Sequence, residues 1–162
     1  MTAQLVVDSN ILLLHAFSLY DAGRLLEHVW PSTLEWQESE RICRWLARVL
    51  GSFQLITTPY ALLEFKHVAG SRAKLGQDER ERFFDSYGLY LLALQEEHVA
   101  IEDILTYERD RQAWWLCFAD TSLVLTALRR QAPLFTLDWP AYNFIVRQGG
   151  SARHVVEWFY GG

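Results

Sequence analysis

The sequence predicts an α/β protein, a three-layer α/β/α sandwich with a central parallel sheet of about five strands. Three observations favour this fold class. Short β-prone runs alternate with longer segments of helical spacing. No two-residue turn signal joins one run to the next, which argues against hairpins. The first run, Leu5–Val7, is apolar without alternation, a pattern typical of a strand that helices cover on both faces.

Length and composition limit the class of protein. The chain has 162 residues, of which 51% are hydrophobic and 22% charged, and this predicts a single domain over residues 1–162 with a substantial core. The formal net charge of −5 argues against a general electrostatic attraction of the whole chain to nucleic acid. Basic residues gather between Lys66 and Arg82, where a solvated helix and loop is the simpler explanation for most of them.

The sequence shows no signal for secretion, membrane insertion or zinc binding. Residues 1–4 carry no basic side chain and precede no long apolar segment, so we expect no secretory signal. No apolar stretch approaches the roughly 20 residues that span a bilayer, and we expect a soluble cytoplasmic protein without membrane contact. Cys43 and Cys117 have no metal-ligand spacing, and we expect two buried free thiols rather than zinc ligands.

The N-terminal third is predicted as a strand followed by two helices. The strand ends at Asp8, where a carboxylate can cap the helix that follows. The predicted elements after it are a helix from Ile11 to about His28 that Pro31 closes, a capping box at Ser32–Glu35, and an amphipathic helix from Trp36 that Gly51 ends.

The rest of the chain continues to alternate strands and helices. A second strand, Gln54–Thr58, leads into a helix with Thr58 as its N-cap and Pro59 at its first position. This helix is predicted to run to about Gly70, followed by a polar turn to Gln77 and a long helix Asp78–Glu97. Next come a short strand Val99–Ile101, a helix Ile104–Trp115 and a helix from Cys117 to about Arg130. The last predicted elements are a strand Pro133–Asp138, a short helix Trp139–Gln148 and a strand His154–Phe159.

Acidic residues stand at corresponding places along these elements. Asp8 and Asp138 each end a predicted strand. Glu64 lies between the first and second turns of the helix after the second strand, and Asp120 lies in the first turn of a later helix. In a parallel sheet such positions open into one crevice at the carboxyl ends of the strands. Helix capping and the helix dipole would by themselves also explain Asp8 and Asp120.

Carboxylates that converge in this way need compensation. Two like charges about 4 Å apart repel by roughly 4 kcal/mol at an effective dielectric constant near 20. Either some of the carboxylates are protonated or a cation lies among them. Oxygen ligands without His or Cys favour a hard ion such as Mg²⁺ or Mn²⁺.

With these residues in this order, the sequence resembles the PIN-domain family, which includes VapC-like toxin ribonucleases. The resemblance covers essentially the whole chain. The chain departs from the family at Asn10, where many members carry Ser or Thr, and it is longer than a compact toxin. The resemblance depends on four segments that carry the acids, namely Leu5–Asn10, Thr58–Glu64, Ala119–Ser122 and Leu134–Asp138.

The resemblance implies a Mg²⁺- or Mn²⁺-dependent endoribonuclease that cleaves single-stranded or structured RNA. Its catalytic metal ligands would be Asp8, Glu64, Asp120 and Asp138. A toxin of this kind would also need an antitoxin protein whose segment covers the acidic crevice. The Trp-rich early helices would provide that contact or a homodimer face.

Five further residues are candidates around these ligands. Asn10 and Thr136 are candidate hydrogen-bond partners that orient the carboxylates, although Thr136 is equally well explained as an ordinary strand residue. Lys66, His67 and Trp139 are candidate substrate-binding residues. Trp139 follows the last acid directly and is of the type that stacks on a base, whereas a surface histidine is the simpler explanation of His67.

Other folds that place an aspartate after the first strand fit less well. A phosphotransferase of the haloacid-dehalogenase type would need a second aspartate where Asn10 stands, and a dinucleotide-binding fold would need a glycine-rich turn. The alternative that stays open is a PIN-like binding or scaffold module that retains the acids without cleaving RNA.

Overall fold

The chain folds into strands and helices that alternate along its length. The computed structural model describes residues 1–21, 36–72 and 74–161. Its elements in chain order are β1 (Gln4–Val7), α1 (Ser9–Tyr20), α2 (Trp36–Gly51), β2 (Gln54–Thr57), α3 (Pro59–Arg72), α4 (Gln77–Leu92), β3 (Gln95–Glu96), α5 (Ile101–Arg111), α6 (Phe118–Arg130), β4 (Leu134–Thr136), α7 (Trp139–Arg147), β5 (Ala152–His154) and α8 (Val155–Gly161).

The five strands form one parallel sheet in the order β3-β2-β1-β4-β5. The central strand β1 pairs with both β2 and β4, with Val6 opposite Ile56 on one side and Leu134 on the other. The edge strands β3 and β5 pair with β2 and β4 respectively. Because all five strands run in the same direction, their carboxyl ends lie together along one side of the sheet, which we call the carboxyl edge.

Helices cover both faces of the sheet, and the predicted three-layer α/β/α sandwich is confirmed. Leu5 and Val7 of β1 point into a core that α1, α2 and α4 complete. Val6 of the same strand points into a second core, with side chains of α5, α6 and α7. All three residues are fully buried, so the unbroken apolar run of β1 follows from burial on both faces.

The first helix is shorter than the sequence predicted. It begins at Ser9, directly after Asp8, and ends at Tyr20, where the Asp21 amide donates to the carbonyl of Phe17. The predicted continuation to His28, the closing proline and the capping box all fall on residues 22–35, which lie outside the described residues. The second helix, α2, has the predicted bounds.

The prediction of a third strand at Val99–Ile101 is wrong. Val99 is fully buried in the connection to α5, and Ile101 already begins that helix, which ends at Arg111 rather than at Trp115. The third strand is Gln95–Glu96, which the sequence placed inside a long helix that in fact ends at Leu92. Its polar residues are accommodated because β3 lies at the edge of the sheet.

The predicted last strand, His154–Phe159, is also wrong. The strand β5 ends at His154, and α8 begins at the next residue. Val155 is buried in the first core, and Trp158 and Phe159 pack against that core from three and four residues further on. This spacing belongs to one face of a helix, so the apolar run is helical although its composition is typical of a strand.

Two further expectations concern the surface. Both cysteines are free thiols, with Cys43 half-buried on α2 and Cys117 exposed before α6, so the expectation of burial is wrong for Cys117. The reason is local, because Cys117 lies at the N-cap of α6 rather than within a helix. None of the described helices is long and apolar enough to cross a membrane.

Buried hydrogen bonds hold the first turn of α6 in place. Glu108 on α5 is only 2% exposed, and its Oε1 accepts a hydrogen bond of 2.6 Å from the Thr121 hydroxyl. The next residue, Ser122, lies 2.7 Å from the hydroxyl of Thr58 at the end of β2. Buried polar groups that are paired in this way fix the elements that carry them. The first turn of α6 is therefore tied both to α5 and to the carboxyl edge.

Removing the Thr121 hydroxyl should destabilise the protein. In Thr121→Val the carboxylate of Glu108 stays buried without this donor, and we expect the free energy of unfolding to fall by about 1–3 kcal/mol. Thr121→Ser keeps the hydroxyl and should lose much less. Urea unfolding followed by circular dichroism measures both, and equal stability of the Val and Ser variants would contradict this account.

Candidate functional site

The four acidic residues that the sequence singled out follow neighbouring parts of the carboxyl edge. Asp8 comes directly after β1, and Asp138 follows β4, the strand that pairs with β1. Glu64 lies on α3, which begins after β2 on the other side of β1. Asp120 lies in the first turn of α6. The sheet order therefore places the acids around the end of its central strand.

Asp8 is the most buried of these acids, with only 4% of its surface exposed. Its Oδ1 caps α1 by accepting a hydrogen bond of 2.9 Å from the Ile11 amide, and its Oδ2 accepts one from the Thr136 hydroxyl. Burial raises the pKa of Asp8 to about 7; these two hydrogen bonds lower it, and the negative charges of Asp120 and Asp138 raise it. Asp8 therefore caps α1, and its carboxylate also contacts Thr136 at the end of β4.

Asp120 shows the same electrostatic pattern. Burial raises its pKa to about 6; the side-chain hydrogen bond with Cys117 lowers it, and the charges of Glu64 and Asp138 raise it. Asp138 acts on the pKa of both Asp8 and Asp120, and Glu64 acts on that of Asp120, so the four carboxylates form one electrostatically linked group. The groups that shift the pKa of Asp8 and Asp120 include no basic side chain in the part of the chain that the structure describes.

Thr136 connects two of the acids. Its hydroxyl donates to Asp8 Oδ2 and accepts a hydrogen bond of 2.9 Å from the backbone amide of Asp138. The residue is fully buried at the end of β4. The hydrogen bond that the sequence suggested for Thr136 is therefore present, and it orients one acid while fixing the backbone of another. Asn10 is half-buried and makes no side-chain hydrogen bond among the described residues.

Glu64 is held by two residues that sequence reasoning missed. Ser9 donates its hydroxyl to Glu64 Oε1, and the Cys117 thiol lies 3.5 Å from Glu64 Oε2 as a donor. The Cys117 sulfur also accepts from the Asp120 amide at 3.4 Å. The position of Ser9 beside Asp8 and that of Cys117 three residues before Asp120 were the available signals. Neither spacing shows that Glu64 lies between them, because only the tertiary fold brings α3 there.

The three candidate substrate-binding residues lie in different surroundings. Lys66 is exposed on α3, with its ammonium 5.9 Å from the centre of the Phe84 ring on α4, and His67 is exposed beside it. Trp139 directly follows Asp138 and begins α7 with 45% of its surface exposed. Of the three, Trp139 alone is adjacent in sequence to one of the acids, and a substrate role for Lys66 and His67 stays a prediction.

The chemistry of the donors suits a hard cation. The coupled groups are carboxylates, and the partners that orient them are hydroxyl, thiol and amide groups that carry no positive charge. No group of three His, Cys, Asp or Glu side chains forms a ready metal cluster within the described residues. Mg²⁺ in proteins is commonly held by one or two carboxylates and keeps several waters, so a cluster of three is not needed for it.

Comparisons with known proteins add no relative: no family model matches the chain, and no curated protein matches it.

The burial of Asp8 predicts how stability depends on pH in the absence of divalent ions. An unfolded aspartate has a pKa near 3.9, whereas the folded value is about 7. The folded state therefore keeps a proton that the unfolded state releases, and the stability that comes from this group is lost as pH rises from about 4 to about 7. In EDTA at pH 8, Asp8→Asn should raise the free energy of unfolding by about 2–4 kcal/mol, because the amide oxygen keeps the cap without the charge, although the hydrogen bond that Thr136 donates is lost.

Urea unfolding of wild type and Asp8→Asn at several pH values measures this effect. We expect the advantage of the variant to shrink steadily as the pH falls towards 4. An Asp8→Asn variant that is less stable than wild type at pH 8 would contradict the raised pKa of Asp8. A gain in stability that does not change with pH would contradict it as well.

Proposed function

We propose that this protein is a Mg²⁺- or Mn²⁺-dependent endoribonuclease in which Asp8, Glu64, Asp120 and Asp138 hold the metal ion directly or through water. The observation that carries the proposal is the Asp8 carboxylate, which is almost fully buried, is coupled to other carboxylates and has no basic group among those that shift its pKa. A divalent cation is the group that such a set of acids lacks. The resemblance to PIN domains supports the same four residues as ligands.

The residues of the chain are arranged to hold such an ion in a fixed place. Each oxygen of Asp8 accepts one hydrogen bond and keeps a further lone pair, so the carboxylate can bind a cation without turning. Glu64 is oriented through both of its oxygens by Ser9 and Cys117. The Asp138 side chain makes no capping bond to α7, which leaves its oxygens available.

When bound, Mg²⁺ or Mn²⁺ supplies Lewis acidity, which activates water and offsets charge on a phosphate. What the protein supplies is ligand orientation and exclusion of solvent. Asp8 at the end of β1 is central, because Thr136 links it to Asp138 and because Asp120 and Asp138 both act on its pKa. The buried hydrogen bonds of Thr121 and Ser122 fix the first turn of α6, which carries Asp120.

RNA as the substrate and the antitoxin come from the family resemblance. The antitoxin contact or homodimer face on the early helices comes from their composition, and all of these stay predictions. The acids themselves repel a phosphate chain, and the formal net charge of −5 gives no general attraction to it. Affinity for RNA therefore comes from local groups, either side chains beside the carboxylates or the basic residues between Lys66 and Arg82.

Nuclease activity on labelled single-stranded RNA tests the proposal. Wild type should cleave with Mg²⁺ or Mn²⁺ and stop in EDTA, and Asp8→Asn should lower the rate by about 100-fold or more, since metal-ion stabilisation of a transition state amounts to several kcal/mol. The matched control is Asp103→Asn, an exposed acid on α5 that pairs with Arg129 at the far end of α6. It should cleave at the wild-type rate.

Two results would overturn the proposal. One is cleavage that continues in EDTA or in Asp8→Asn, which would place the activity elsewhere. The other is a folded wild type that binds RNA and cleaves neither RNA nor DNA with either metal, which would support the binding module instead.

A further inference from the structure

The indole of Trp139 forms a closely stacked pair with an imidazole beside the acids. Trp139 is the first residue of α7 and directly follows Asp138. Its ring lies on that of His154 with the centroids 3.6 Å apart and the planes 6° from parallel. Nearly half of the tryptophan remains exposed. The pair therefore presents an aromatic surface next to the carboxylates.

The imidazole of this pair is held by hydrogen bonds to the backbone. His154 is buried at the end of β5, and its Nε2 lies 2.9 Å from the carbonyl of Leu137. Its Nδ1 accepts a hydrogen bond of 3.3 Å from the Val156 amide, so the ring proton belongs on Nε2, where it is donated to Leu137. With both nitrogens bonded to the backbone, the imidazole cannot turn without breaking them, and the indole above it is held in place.

The opposite face of the indole is not covered by the third ring nearby. The Tyr142 centroid is 5.2 Å from that of Trp139 and 6.3 Å from that of His154. Since the imidazole lies 3.6 Å away almost along the normal of the indole, these distances place Tyr142 level with the indole plane, at its edge. No other ring contacts Trp139 among the described residues. One face is stacked on His154, one edge adjoins Tyr142, and no described ring covers the second face of a residue that is 45% exposed.

We infer that the open face of Trp139 binds an unpaired nucleobase, so that the protein takes single-stranded nucleic acid with one base stacked beside the acidic site. This inference rests on the proposed function and narrows its substrate to a strand whose bases are free. Aromatic stacking is sequence-tolerant because every base has a π face. A base inside a duplex is already stacked on both sides and cannot occupy this surface.

The charge of the protein favours stacking as a source of affinity. A formal net charge of −5 gives the chain no general release of counterions from phosphates, which is the usual source of non-specific binding. Stacking needs no basic residue, and a ring that is already ordered by His154 loses little conformational freedom on binding. The ordered indole of Trp139 therefore provides affinity for nucleic acid that the net charge of the chain does not.

Binding of a labelled oligouridine of about ten nucleotides tests the inference. The parent protein is Asp8→Asn in EDTA, so that neither cleavage nor metal binding interferes, and fluorescence anisotropy gives Kd. Adding Trp139→Ala should raise Kd by about 5- to 100-fold, the range found for the loss of one stacked base. Trp139→Phe should retain most of the affinity. A duplex of the same length should bind poorly, with no effect of Trp139→Ala.

The matched control is Tyr90→Ala. Tyr90 is 47% exposed and lies on Tyr87 with the ring centroids 5.4 Å apart and the planes 20° from parallel. It lies near the end of α4, which leads into the amino end of β3 and hence to the side of the sheet opposite the acids. This control should bind oligouridine like the parent, and unfolding curves of all variants show whether each is folded.

A series of oligouridines with one abasic position each then locates the contact. One abasic position should weaken binding by the parent and have no further effect in Trp139→Ala, because both changes remove the same stacking interaction. Unchanged Kd in Trp139→Ala, or a parent that binds no oligouridine, would overturn the inference. If wild type cleaves no RNA and Trp139→Ala still weakens binding, the stacking inference stands and the proposed nuclease function fails.

Discussion

The burial of a carboxylate at the end of the central strand is the constraint on which the rest of the structure depends. Asp8 is enclosed because β1 is covered on both faces, and its charge is opposed by that burial and by two acids nearby. Its hydrogen bonds offset only part of this cost, since its pKa stays well above the ordinary value. Carboxylates with a pKa raised in this way cluster at functional sites, which supports the proposed metal site.

Neutral side chains assemble the acids into one group without neutralising them. Thr136 connects Asp8 with the backbone of Asp138, and Ser9 and Cys117 hold the two oxygens of Glu64. A lysine or arginine in any of these places would have satisfied the charge from within the protein. Hydroxyl and thiol donors orient the oxygens and leave the negative charge to be balanced by something that binds. The surroundings thus combine fixed geometry with uncompensated charge.

The sequence predicted the centre of the fold better than its edges. The buried strands β1 and β4 are apolar and stop at aspartates, so their positions and their acids could be read locally. At the edges, Gln95–Glu96 has no apolar pattern because β3 pairs on one side only, and the apolar run after His154 turned out to be a helix. The acids could be placed from their order along the chain. Their partners Ser9 and Cys117 could not, because those contacts join residues more than fifty positions apart.

The most direct test of the central claim is whether the coupled acids bind a divalent ion at all. Isothermal titration of Mn²⁺ into wild type freed of metal by EDTA and dialysis measures this without any substrate. The account predicts saturable binding that is tighter at pH 8 than at pH 6, because Asp8 and Asp120 must lose their protons to bind the ion, and loss of that binding in Asp8→Asn. Mn²⁺ binding that is absent at pH 8, or unchanged in Asp8→Asn, would contradict it.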